Sequence, residues 1–311
     1  MLAGHRAGRL SIMRTEGDTW DIKSSVGSTA LFVAAARALA GDEPGALAED
    51  PFAEDFLRAA GAEWAALLDG EVPGHPLTDT EFGKDFQEFQ AARTRYFDDY
   101  FREAGAADIR QVVILAAGLD ARAYRLPWAD GTVVYELDRP QVLDFKREVL
   151  SGNGDEPRAD RREIPADLRD DWPRALRDSG FDPSAPTAWL VEGLLIYLPA
   201  DAVEQLFETI DALSAPGSRV AIEQMDQMPE SAAAAFAEQG EETENARNEW
   251  VGLIYNEPRS EAAEWFTARG WSAERVDVPD YLREHGRPAP AGEPGAGLVS
   301  ALVSLVTAVR S

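Results

Sequence analysis

Gln111-Val-Val-Ile-Leu-Ala116, then Ala117-Gly118-Leu119-Asp120, and a few residues later Thr132-Val-Val-Tyr-Glu-Leu137 ending on Asp138, is the stretch that decides the fold. It reads as strand, glycine turn, helix, strand, acid. A glycine at the carboxyl end of the first strand lets backbone approach a ligand closely. Asp138 follows Gly118 by 20 residues, a spacing at which a carboxylate can accept both hydroxyls of a ribose. The pattern describes a crevice for a nucleoside-containing cofactor. On these residues alone, an ordinary strand–turn–strand without a ligand stays open as the alternative.

A dinucleotide needs three glycines, G-x-G-x-x-G, to seat its pyrophosphate on a helix N-terminus. Here the run is Ala116-Ala117-Gly118-Leu119-Asp120-Ala121. It has one glycine and a carboxylate that would repel phosphate. A cofactor with a ribose and a cationic aminoacyl tail but no phosphate suits Asp120 better, and S-adenosylmethionine is such a molecule.

Longer motifs add a resemblance. ILAAGLDARAYRLPW (114–128), VYELDRPQVLDFK (134–146), ADLRDDWPRALRDSGFDPSAPTAWLVEGLLIYLP (166–199) and EGDTWDIKSSVGSTALFVAAARALA (16–40) resemble the S-adenosyl-L-methionine-dependent methyltransferases common in actinobacteria. Those are related to leucine carboxyl methyltransferases and to polyketide carboxyl O-methyltransferases. The resemblance runs from about Thr15 to the C-terminus. It implies that Asp138 binds the ribose, and that Asp167 and Leu168 hold the adenine through a carboxylate and a backbone amide. Gly118 would lie under the aminoacyl tail, Glu192 near the methionine ammonium, and an arginine of Ala92-Arg93-Thr94-Arg95-Tyr96-Phe97 on the methionine carboxylate. Arg93 is favoured over Arg95 for that place. The chain departs from the family at two positions: Ala116 stands where a glycine is usual, and Ala121 where a threonine could cap the next helix.

The composition suits a globular fold, with 45% hydrophobic residues. With 56 acidic against 30 basic residues the formal charge is −26, which argues against nucleic acid and against an anionic membrane surface as partners. There is no cysteine, so disulfides and thiolate chemistry are excluded. Residues 1–14 carry arginines but no apolar run of the signal-peptide kind. They are expected to be disordered or an extension upstream of a start at Met13, and the protein to be cytoplasmic. The apolar segment 298–309 is too short to span a membrane and reads as a terminal strand.

Helical spacing covers 22–40, 50–68 and 80–104, the last with an aromatic stripe (Phe82, Phe86, Phe89, Tyr96, Phe97, Tyr100) that reads as core. Strands are expected at about 111–116, 132–137, 161–165, 187–192, 218–224, 271–277 and 298–308. Helices alternate with them near 140–150, 170–179, 200–213 and 258–269. Strand–helix alternation predicts an α/β fold, with a doubly wound, mainly parallel seven-stranded sheet. The resemblance implies the Rossmann-like class I methyltransferase version. The expected organisation after residue 14 is one domain over 15–311. It comprises an N-terminal helical cap (15–105), a cofactor-binding core (106–224), a helical lid insertion after the fifth strand (225–257) and the rest of the core (258–311).

His5, His75 and His285 are far apart and show no ligand spacing, so no metal site is expected. Glu192-Gly-Leu-Leu-Ile-Tyr197 lacks the serine of a hydrolase nucleophile turn. The expected reaction is methyl transfer to an oxygen, with a small-molecule carboxylate favoured because it needs no general base. A phenol or alcohol acceptor is the alternative, with His75 as the available base. Tyr197 is the side chain expected to face the acceptor. A nicotinamide oxidoreductase and a non-catalytic S-adenosylmethionine-binding protein are the competing classes.

Overall fold

The computed structural model describes residues 26–228, 254–287 and 297–311. At its centre is a seven-stranded sheet. β1 (Gln111–Leu115) lies between β2 (Val133–Asp138) and β4 (Thr187–Val191), with β3 (Asp160–Pro165) outside β2 and β5 (Arg219–Met225) outside β4. These five strands are parallel. β7 (Val303–Arg310) then runs antiparallel between β5 and β6 (Trp271–Asp277), giving the order β3-β2-β1-β4-β5-β7-β6. The order reverses between β1 and β4, where a doubly wound sheet opens its ligand crevice at the carboxyl ends.

Alternation along the strands builds two cores. Val112, Ile114, Val134 and Leu190 face one side with α1 (Val26–Asp42), α2 (Pro51–Ala60) and α5 (Glu81–Ala106). Val113, Leu115, Leu137 and Val191 face the other with α8 (Trp172–Asp178), α9 (Ala200–Leu213) and α10 (Ala262–Thr267). Because both faces are covered, the central strands are mainly apolar. Within the aromatic stripe of α5, Phe86, Phe89, Phe97 and Tyr100 are buried core residues, as their spacing predicts.

The helix expected over 50–68 is two, α2 and α3 (Ala62–Leu68), because Gly61 between them has φ 148°. Three short helices had no strong periodic signal: α4 (Pro76–Asp79), α6 (Arg122–Arg125) and α11 (Val278–Glu284). His75, expected in a loop, caps α4, its Nδ1 accepting the Leu77 amide at 3.2 Å. Segment 298–308 is not one strand. It opens with α12 (Leu298–Ala301), where the buried Asp85 of α5 accepts the Val299 and Ser300 amides at 3.0 and 3.3 Å and also the Ser300 hydroxyl. Met225 belongs to β5 rather than to the lid expected from that residue onward. Most of that expected lid, 229–253, lies outside the described residues, as do residues 1–25 with His5 and the presumed extension.

Candidate active site

The turn after β1 is held from every side. The Ala117 amide donates to Leu137 O at 2.9 Å, and the Asp120 amide to Ala117 O at 2.9 Å. The Leu119 carbonyl accepts from Arg37 at 3.1 Å and the Asp120 carbonyl from Lys146 at 2.6 Å. Gly118 has φ 50°, where glycine is free of strain; Ala116, with φ 52°, is not. The loss of a threonine cap at Ala121 is made good locally, since Asp120 Oδ1 accepts the Arg122 amide at 2.7 Å.

Asp138 closes β2 directly beneath this turn. One carboxylate oxygen accepts the Gly118 amide at 2.6 Å and the other the Arg139 amide at 2.7 Å. Burial raises its carboxyl above the ordinary range, against the lowering effect of those two amides. Two further lone-pair positions remain on it for hydroxyl donors. Asp167, beyond β3, is bound by Arg169 at 2.6 and 2.9 Å and by Arg139 at 3.2 Å. Those arginines, Arg169 first, hold its carboxyl far below the usual range. The Leu168 side chain packs against the second core.

On the opposite side of the switch point is a buried ionic network. Arg93 projects from α5 to Glu223 of β5 at 2.6 Å and to Glu192, the residue after β4, at 3.0 Å. It also donates to Gln90 at 2.5 Å. Arg122 joins Glu192 at 2.7 Å, Asp98 at 2.8 Å and Asp120, and Arg125 completes the cluster on Asp98. Burial opposes the charge of both Arg93 and Arg122, but the surrounding carboxylates outweigh it and hold both guanidiniums firmly protonated. Asp120 is likewise held ionised, with Arg122 and then Lys146 overcoming its burial. Arg95 instead lies at the surface in a pair with Asp99, whereas Arg93 is buried.

Arg122, Asp98 and Glu223 were not singled out from the sequence. Glu223 had a legible signal, an acid inside the otherwise apolar run Val220-Ala-Ile-Glu-Gln-Met225. Arg122 lies within a quoted motif, but its partners come from α5 and β4, which only the fold brings together.

These residues fit an S-adenosylmethionine molecule. The three guanidiniums of Arg93, Arg122 and Arg125 face the four carboxylates of Asp98, Asp120, Glu192 and Glu223. That leaves one formal negative charge, opposite to the net positive charge of the cofactor. Arg93 Nε, 3.0 Å from Glu192, is buried inside this network.

A separate cavity lies beyond the carboxyl ends of β4 and β5. Ile196, Met225, Met228, Ile254 and Tyr255 give it apolar walls, and Arg259 lines it too. Its flanks are tied together: Asn256 accepts the Met228 amide at 2.7 Å and donates to Met228 O at 2.9 Å, while the Tyr255 amide donates to Ile196 O at 2.9 Å. Ile196 lines the cavity; Tyr197, its neighbour on the 3₁₀ turn Leu195–Tyr197, is not among the lining residues. No cluster of metal-ligating side chains is present among the described residues. No helix among them is long and apolar enough to cross a membrane.

A parallel sheet with one antiparallel strand set between its last two positions, and an acid closing the strand beside the switch point, is the architecture of class I S-adenosylmethionine-dependent methyltransferases. Residues 30–211 match the family described as leucine carboxyl methyltransferase. The chain belongs to that family. A Mycobacterium tuberculosis protein named "Putative S-adenosyl-L-methionine-dependent methyltransferase Rv0281" is 59% identical over 301 residues, 96% of this chain and all of that one. A Mycobacteroides abscessus protein of the same general name is 57% identical over 299 residues, again 96% of this chain and all of its own. The crystal structure of a methyltransferase from Thermobifida fusca covers 91% of this chain and 94% of its own, at 19% identity and a TM-score of 0.48. The protein is an S-adenosylmethionine-dependent methyltransferase.

Proposed function

We propose that the enzyme acts in the cytoplasm and methylates a carboxylate oxygen of a small molecule. The bound cofactor supplies an electrophilic methyl group on a sulfonium, whose departure leaves a neutral thioether. In our reading Asp138 holds the ribose diol, Asp167 and the Leu168 amide hold the adenine, and Gly118 lies beneath the aminoacyl tail. Arg93 takes the methionine carboxylate, and Glu192 and Asp120 offset the ammonium. Held by these residues, the cofactor would supply its methyl group to an acceptor at the carboxyl ends of the strands. An acceptor carboxylate oxygen forms a bond to the methyl carbon as the methyl–sulfur bond breaks, with its electron pair passing to sulfur. No proton moves.

The observation that carries the reading is that no histidine lines the cavity beyond β4 and β5 among the described residues. Of its two carboxylates, Asp226 is paired with Arg275 at 3.0 Å and Glu257 accepts the Ala200 amide at 2.5 Å. His75 Nδ1 accepts the Leu77 amide, so the other ring nitrogen carries the proton of the neutral imidazole. Burial moreover lowers the His75 imidazolium below its ordinary range. An ionised carboxylate needs no base; a phenol or alcohol does.

The test is transfer of a labelled methyl group across paired acids, phenols and alcohols. Products from the acids should release labelled methanol in mild hydroxide, as esters do and aryl ethers do not. His75→Ala should retain near-normal turnover. Transfer confined to phenols, with activity lost in His75→Ala, would replace this reading with base-assisted ether formation.

A further inference from the structure

One carboxylate oxygen of Glu223 is shared by two donors that reach it from different parts of the fold. Arg93 Nη1 comes from α5 at 2.6 Å, and the Gly193 amide from the turn after β4 at 2.8 Å. That turn lies directly against the guanidinium: Gly193 has φ 63°, and a Cβ there would stand 3.5 Å from Arg93 Nη1. Glu223 is itself buried on β5, after Val220, Ala221 and Ile222, which are fully buried. An acid in such a run costs stability unless it is paired. An apolar residue would fill the place without that cost, so packing alone does not account for Glu223.

The proposed function puts the two charged ends of the cofactor's aminoacyl group on Arg93 and Glu192. Both are tied to this single oxygen, Arg93 by its own guanidinium and Glu192 through the amide of its neighbour Gly193. An arginine on its long stem binds a carboxylate well only when its fork is held in one orientation. Glu223 on Nη1 and Gln90 on Nη2 supply that hold, and each of these nitrogens carries a second N–H.

We infer that Glu223 is a positioning residue for the cofactor, fixing Arg93 and the Glu192–Gly193 turn at the spacing that a zwitterionic aminoacyl group requires. The inference rests on the roles given to Arg93 and Glu192 above. It adds that the placement Glu223 imposes, rather than its charge, sets the affinity for that end of the ligand. Only one of its two oxygens forms the bridge, so a glutamine can present its amide oxygen to the same two donors. Alanine leaves both without this acceptor, and aspartate withdraws it by one methylene.

Calorimetric titration of the full chain with S-adenosylhomocysteine and with 5′-methylthioadenosine tests this. The two ligands share adenine, ribose and thioether, and only the first has the aminoacyl group. The wild type should bind S-adenosylhomocysteine about thirtyfold or more tightly than its truncated counterpart. Glu223→Ala should cut that ratio by about tenfold while 5′-methylthioadenosine affinity stays within about twofold, and Glu223→Gln should keep the ratio within about threefold. Glu223→Asp, expected to lower the ratio by about threefold or more, carries the test if the alanine variant unfolds. An undiminished ratio in a folded Glu223→Ala or Glu223→Asp, equal weakening of both ligands, or a glutamine variant as impaired as the alanine one would overturn the inference. Arg93→Gln separates the two levels of the claim. A ratio lost there but kept in Glu223→Ala removes the role of Glu223 alone; a ratio kept in Arg93→Gln removes the assignment of the aminoacyl carboxylate to Arg93, and the inference with it.

Discussion

Replacing Asp138 with alanine is expected to remove cofactor binding with little change to the folded protein. Each carboxylate oxygen already accepts one main-chain amide, from Gly118 and from Arg139, so each has one position left for a ribose hydroxyl. Two hydrogen bonds to a charged acceptor, at about 1.5–3 kcal/mol each, amount to a loss of roughly two to four orders of magnitude in affinity. Two opposing effects act on stability. The two amides lose their acceptor, but the cost of burying a charge also disappears. That cost follows from the raised carboxyl of Asp138: it is present above the unfolded value of about 3.9 and relieved as the pH falls. Cofactor binding by the wild type should show the complementary trend, weakening as the pH drops through the raised value because a protonated carboxyl cannot accept from both hydroxyls. Calorimetric titration with S-adenosylhomocysteine at pH 7.5 and in mild acid, beside thermal unfolding, measures both. A folded Asp138→Ala protein that binds within threefold of the wild type would refute the ribose assignment.

Ala116→Gly should relieve a left-handed alanine worth about 1–2 kcal/mol, offset by glycine's larger unfolded-state entropy of about 0.5–1 kcal/mol, so the urea midpoint should rise slightly; a fall would contradict the strain argument. Gly83→Ala should destabilise despite alanine's better helix propensity, because its Cβ would lie 2.3 Å from the carbonyl oxygens of both Pro76 and Leu77. A loss of about 1–3 kcal/mol in chemical denaturation is expected, and a more stable variant would mean that α4 and α5 do not cross so tightly. Asp167→Asn should weaken S-adenosylhomocysteine by about tenfold, ~1.4 kcal/mol, with an almost unchanged melting temperature, since its ion pairs to Arg169 and Arg139 are partly exposed. Unaltered affinity would move the adenine elsewhere.

Much of this was legible in the chain because it depends on local pattern. β6 and α9 have the bounds that the alternation of apolar residues predicts. Asp138 ends β2 as its position after an apolar run requires. The burial of Arg93 was also readable: it stands four residues from both Phe89 and Phe97, on the buried stripe of α5, whereas Arg95 does not. What stayed hidden depends on residues distant in sequence. The apolar run from 298 resembles one strand until Asp85, 215 positions away from Ser300, caps its first turn as a helix. Likewise, an acid within β5 gives no hint that its partner is an arginine of α5, 130 residues earlier. The short helices α4, α6 and α11 are too brief for periodicity to register.

The bracing of the turn between β1 and α6 also bears on how fast a ligand can be captured. Lys146, buried completely on α7 (Pro140–Asn153), spans from Glu136 of β2 at 2.7 Å to the Asp120 carbonyl at 2.6 Å, while Arg37 holds the Leu119 carbonyl from the opposite side. The turn that we assign to the cofactor is therefore ordered by folding rather than by binding, and the entropy of fixing it is not charged to the encounter. Association then does not wait for this turn to rearrange. Variants that weaken the site should differ chiefly in how quickly the cofactor leaves.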